Sequence, residues 1–126
     1  MRKVVATSAA PAAIGPYSQA NIIDNLVFTS GQLPIDIATG EMPATIEAQT
    51  EMSLKNVKVI LEEAGSSMDK VIKTTVFLKD MNDFAAMNGV YAKFFKEGAF
   101  PSRSAFQVGR LPKDAMVEIE AVAYIK

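Results

Sequence analysis

The chain has 126 residues, of which 49% are hydrophobic, enough for one domain that buries roughly two-thirds of its extended surface on folding. Its 13 basic and 14 acidic residues leave a net charge of −1 with no basic run, so the clustered positive patch of a nucleic-acid binder is missing and no nucleic-acid partner is expected. The chain has no Cys, His or Trp; disulfides, thiolate or imidazole metal sites and imidazole catalysis are therefore excluded, and any chemistry falls to carboxylates, hydroxyls, the backbone or water.

The opening MRKVVATSAAPAAIG lacks the continuous apolar core of a signal peptide. No apolar run reaches the roughly 18–20 residues that span a bilayer. A soluble, cytoplasmic protein with no membrane partner is the expectation.

Val4 and Val5 open a short strand, and a turn-rich segment, SAAPAAIGPY, follows. From Ser18 the chain reads as a hairpin: SQANII, a turn at Asp24-Asn25, then LVFTSG. QLPID runs on to a further turn at Ala38-Thr39-Gly40. Thr45 to Ala64 reads as a helix, because Leu54, Val57, Ile60, Leu61 and Ala64 recur at helical spacing. Glu47, Glu51, Lys55, Lys58 and Glu62 fall on its wet side, with Glu51/Lys55 and Lys58/Glu62 placed to pair, and Gly65 is a ready stop.

Val71 to Leu78 is rich in β-branched residues and reads as a strand. A second helix follows in MNDFAAMNGVYAKFF, with Phe84, Met87, Tyr91, Phe94 and Phe95 as a core stripe, a cap at Asn82 or Asp83, and an end by Gly98. Two strands close the chain, Arg103 to Gly109 and Met116 to Ile125, joined by the turn LPKDA. The order β-β-β-α-β-α-β-β predicts an α+β domain spanning residues 1–126, with both helices on one face of a mainly antiparallel sheet.

In the last strand Val117, Ile119, Ala121, Ala123 and Ile125 form one apolar face. The other face, Met116, Glu118, Glu120, Val122 and Tyr124, is too apolar for a simple wet surface, and Leu26-Val27-Phe28 is likewise apolar on both faces. Only two helices are on hand to cover the sheet, so an oligomer is expected.

No glycine-rich nucleotide loop, metal-ligand spacing or acidic calcium loop is present, and no cofactor or metal is expected. Arg103, set in PSRSAF, is the strongest single candidate, since a guanidinium among apolar neighbours usually holds a carboxylate or phosphate. Its plainer reading is a structural ion pair with Glu118 or Glu120 across neighbouring strands, or a salt bridge between subunits. For the two glutamates the plainer reading is outward positions on an edge strand. Tyr17 could be a turn residue after Gly15-Pro16, and Ser30 the polar end of a strand before Gly31.

Taken together, AAIGPYSQA, VFTSGQLP, NVKVILEEAG, VIKTTVFLKDMNDFAAMNGVY and FPSRSAFQVGRLPKDAMVEIEAVAY resemble the Rid (YjgF-type) family, and within it the RidA subgroup, over nearly the whole chain. The resemblance implies a chorismate-mutase-like α+β fold, a homotrimer with clefts between subunits, and hydrolysis of 2-imino acids such as 2-iminobutanoate and 2-iminopropanoate to 2-keto acids and ammonia. That reaction protects pyridoxal-phosphate enzymes from imines that such enzymes release. Arg103 matches the arginine that binds the substrate carboxylate, Glu118 the glutamate associated with the catalytic water, and Tyr17, Ser30 and Asn88 further cleft positions. Two features depart from the subgroup. Ala105 stands where many members carry cysteine, leaving only its backbone carbonyl to orient water, and the segment KEGAF before Pro101 is short. A non-catalytic small-carboxylate binding module, or the RNA cleavage and translation inhibition also attached to this family, are the alternatives.

Overall fold

A computed structural model describes residues 1–126. The strands are β1 (Lys3–Val5), β2 (Ala20–Ile23), β3 (Leu26–Thr29), β4 (Val71–Leu78), β5 (Ser102–Gln107) and β6 (Val117–Tyr124), and the helices α1 (Ile46–Glu63) and α2 (Phe84–Tyr91). The predicted order holds. Six strands form one sheet in the order β1-β2-β3-β6-β4-β5, antiparallel throughout except for the parallel pair β4–β5.

Local sequence explains the elements well. At the β2–β3 turn Asp24 adopts a left-handed φ of 51°, a conformation that Asp tolerates better than most residues. Helix α1 starts where the Thr45 hydroxyl accepts the Ala48 amide at 3.1 Å and stops before Gly65, whose φ of 89° suits a residue without a Cβ. Leu54, Val57, Ile60 and Leu61 are fully buried, and each contributes on the order of 1.5–3 kcal/mol by leaving water. On the wet side Glu51 and Lys55 pair at 3.0 Å, whereas Lys58 and Glu62 do not.

The buried face of α1 also carries polar anchors that its apolar periodicity did not announce. Asn56 donates to the carbonyls of Leu33 and Ile35, both at 3.0 Å. Gln49 donates to the Pro43 carbonyl and accepts the Met116 amide at 2.8 Å each. The bonds to Leu33, Ile35 and Pro43 fasten the long β3–α1 connection to the helix, and the bond from Met116 ties the helix to the start of β6.

Helix α2 is shorter than the sequence suggested. A 3-10 turn at Met81–Asp83 precedes it and another at Ala92–Phe94 follows. The capping side chain is Asp80, which accepts the Asn82 amide at 2.9 Å; neither Asn82 nor Asp83 caps by side chain.

The two closing strands do not lie side by side. β5 takes the outer edge beside β4, and β6 enters the middle of the sheet between β3 and β4. Glu118 and Glu120 therefore sit on a central strand, not on an edge. Val117, Ile119, Ala121 and Ala123 of β6, with Val76 and Leu78 of β4 and Val27 of β3, build the core against α1 and α2. The other sheet face is bare. It displays Phe28, Phe106 and Tyr124, each more than a third exposed, together with Val4 and Ile23, and Phe77 meets Phe106 edge-on at 5.6 Å. No helix is long and apolar enough to cross a membrane.

Candidate active site

Arg103 lies on β5 in register with Thr74 of β4, so its side chain rises on the helix-covered face, beneath α2. Phe84, Asn88 and Tyr91 recur at helical spacing along α2 and meet it. The guanidinium carbon is 4.7 Å from the centre of the Tyr91 ring and 5.4 Å from that of Phe84, and Nη1 donates to Asn88 Oδ1 at 2.7 Å. No carboxylate pairs with Arg103: the chain's ion pairs are Glu51–Lys55 and Arg110–Asp114. The cross-strand bridge to Glu118 or Glu120 is thus ruled out, because β4 separates β5 from β6 and the glutamates occupy the other face. A pocket of about 430 Å³ opens beside the guanidinium, lined by Asn88, Tyr91, Ala92, Phe100, Pro101 and Arg103. Ala105, two residues along the same strand, packs its methyl against the core.

Glu118 lies on β6 opposite Phe77, on the bare face. Its half-buried carboxyl has its pKa pushed above the ordinary glutamate value, first by loss of water and second by the charge of Glu120. It faces a second cleft, of about 570 Å³, whose walls include Ile14, Tyr17, Ser30, Gly31, Leu33 and Lys113.

This cleft exists because β3 parts from β6. Their pairing ends at Phe28 and Val122, and the chain returns only where Gln32 and Ile119 exchange backbone bonds of 2.8 and 3.2 Å. Thr29 fills the opening by accepting the Ala121 amide at 3.0 Å. Ser30 ties in the cleft wall that carries Tyr17: its hydroxyl donates to the Ser18 carbonyl at 2.6 Å and its amide to the Gln19 carbonyl at 2.8 Å. The buried Gln19 in turn accepts the Thr7 amide at 2.6 Å and donates to the Pro11 carbonyl at 2.8 Å. Tyr17 itself is half exposed.

Of the residues singled out in the sequence, Tyr17, Ser30 and Glu118 share one cleft, while Asn88 and Arg103 share the other. Within a single chain the two groups do not meet. Three residues went unrecognised. Gly31 stands so close to Glu118 that a Cβ there would collide with its carboxylate. Phe84 and Tyr91 fit a core stripe in the sequence, and the Asn88 embedded in that stripe is the signal that this helix face meets something polar.

A six-stranded sheet backed by two helices, with its candidate groups divided between two open clefts, is a YjgF-like α+β domain. The crystal structure of the YjgF gene product from Escherichia coli superposes with a TM-score of 0.94 at 52% identity, covering 98% of this chain and 99% of that one. That of E. coli TdcF with bound serine gives 0.91 at 49% identity, covering 97% and 98%. The family model described as Endoribonuclease L-PSP matches residues 7–125, and the chain belongs to this family, the YjgF or Rid family. Among its relatives, the 2-iminobutanoate/2-iminopropanoate deaminase of E. coli K12 is 53% identical over 125 residues, 98% of each chain. A RutC family protein of Pasteurella multocida is 56% identical over 126 residues, again 98% of each chain.

Proposed function

We propose that the chain is a deaminase that hydrolyses 2-imino acids, such as 2-iminobutanoate and 2-iminopropanoate, to 2-keto acids and ammonia, in clefts completed between the subunits of a homotrimer. The observation that carries this reading is the unpaired state of both key groups. Arg103 is a held guanidinium with no carboxylate partner, and Glu118 a half-buried carboxyl with no cationic partner. Each faces an open cleft, and each lacks the other. The bare apolar sheet face supplies a surface on which further copies would pack.

In the completed cleft Arg103 grips the substrate carboxylate through its remaining donors and fixes the imine carbon. Glu118 accepts a proton from water as the oxygen adds to that carbon, giving a carbinolamine. The proton then passes to nitrogen and the C–N bond breaks; ammonia leaves as the C=O bond forms and the freed Glu118 carboxylate takes the hydroxyl proton. Its raised pKa makes Glu118 a better proton acceptor at neutral pH than an ordinary carboxylate. Tyr17, Ser30 and Asn88 line or brace the site, and at Ala105 only the backbone carbonyl is left to orient water. A protonated imine is already a strong electrophile, so no metal or cofactor enters the scheme. In the cell this activity would serve the cytoplasm by removing imines before they damage pyridoxal-phosphate enzymes.

The test is a coupled assay in which a threonine or serine dehydratase generates the imine and keto-acid formation is followed with and without the chain. Faster keto-acid release across several amino-acid substrates supports the reading. Binding of 2-ketobutanoate without any acceleration would make the protein a carboxylate-binding module instead.

A further inference from the structure

The surroundings of Arg103 pose a physical question: what holds a half-buried guanidinium still when no carboxylate does? We propose that Tyr91, locked by Thr74, and Phe84 form an aromatic slot that orients the Arg103 guanidinium while leaving its positive charge uncompensated for an incoming carboxylate. The inference rests on the reading of Arg103 as the carboxylate receptor and assigns Thr74, Phe84 and Tyr91 as its positioning residues.

Three observations carry it. The guanidinium carbon lies 4.7 Å from the Tyr91 ring centre and 5.4 Å from that of Phe84, within the range of attraction between a cation and an aromatic face. The Tyr91 ring is itself fixed: its hydroxyl shares a buried hydrogen bond of 2.6 Å with Thr74 Oγ1, and Phe95 packs against it at 4.8 Å. Thr74 is the residue in register with Arg103 across the β4–β5 pair, so one sheet position sets both the arginine and the lock on its aromatic wall.

The remaining contact, Asn88 Oδ1 at 2.7 Å, is a neutral amide. A carboxylate in any of these places would hold the guanidinium equally well, but it would compete with the ligand for the same charge. Aromatic faces and an amide orient without neutralising. They also favour arginine over lysine, whose compact ammonium offers no flat surface to stack.

The experiment titrates 2-ketobutanoate into the wild-type protein and into Tyr91→Leu, Tyr91→Phe and Thr74→Val, each also combined with Arg103→Lys, with thermal unfolding recorded on every preparation. Tyr91→Leu should weaken binding about five- to thirtyfold and raise KM. Tyr91→Phe, which keeps the ring, should recover most of that loss, and Thr74→Val should fall between wild type and Tyr91→Leu. In the Arg103→Lys background, where no flat cation remains to be oriented, Tyr91→Leu should cost little more. Equal proportional losses in both backgrounds, or wild-type affinity per folded chain in Tyr91→Leu and Thr74→Val, would overturn the slot and leave Tyr91 as core. Should wild type neither bind the keto acid nor hydrolyse the imine, the receptor role of Arg103 fails and takes the slot with it.

Discussion

Arg103 and Glu118 stand on opposite faces of the same sheet. Arg103 is in register with Thr74, under the helices, and Glu118 with Phe77, on the bare side. Residues so placed cannot act on one small molecule within one chain.

Arg103→Lys keeps the charge and loses both the flat two-point grip and the stacking on Phe84 and Tyr91. Losing one charged hydrogen bond costs about 1.5–3 kcal/mol, so hydrolysis should fall roughly ten- to a hundredfold. Because Arg103 bridges no carboxylate, the melting temperature and oligomeric state should stay close to wild type. Turnover and thermal unfolding measured on one preparation decide between the roles. A destabilised variant with unchanged turnover per folded chain would make Arg103 structural.

Glu118→Gln should separate activity from stability in opposite directions. The amide cannot accept the proton of water, so turnover should drop about a hundredfold or more. The folded-state pKa of Glu118 is raised, so between its unfolded and folded pKa values the native state holds more protons than the unfolded one, and stability declines as pH rises through that window. Removing the ionisable group should therefore raise the melting temperature at neutral pH. That gain should vanish below the ordinary glutamate pKa. In the wild type, the acid limb of the rate profile should lie above that same value; a limb at or below it would place the proton acceptor elsewhere.

Gly31→Ala tests how Glu118 is placed. The added methyl would meet the end of a flexible carboxylate, which moves aside at little energetic cost. Folding should survive, with a melting temperature within a few degrees of wild type, while turnover falls about tenfold or more through misplacement of the carboxyl. A crystal structure of the variant should show the Glu118 carboxyl displaced from its wild-type position. Full activity with Glu118 unmoved would mean that the backbone at residue 31 yields instead.

Much of this architecture is legible in the sequence. Thr45 and Gly65 bracket α1, the β-branched run fixes β4 to the residue, and the alternation along β6 foretold one core face and one uncovered apolar face. What was not legible is long-range pairing. No local signal says that β6 inserts between β3 and β4, or that β5 runs parallel to β4, and without that order an Arg103–Glu118 bridge looked reasonable. Asp80 was missed as a cap because a 3-10 turn displaces the start of α2. The contribution of Gly31 is an absent methyl, which has meaning only once Glu118 is known to lie over it. Phe84 and Tyr91 matched a core pattern and do pack in the core; their second contact, with Arg103, depends on the sheet register.

In the proposed assembly each cleft takes Arg103 from one chain and Glu118 from another. The direct measurement co-assembles two disabled chains, Arg103→Lys and Glu118→Gln, in equal amounts, and compares their imine hydrolysis with that of each variant alone. In randomly mixed trimers about a quarter of the clefts receive an intact arginine and an intact glutamate. Turnover should therefore rise from the low level of either parent to about a quarter of wild type. Activity that stays at the average of the two parents, in trimers shown to contain both chains, would contradict the shared cleft.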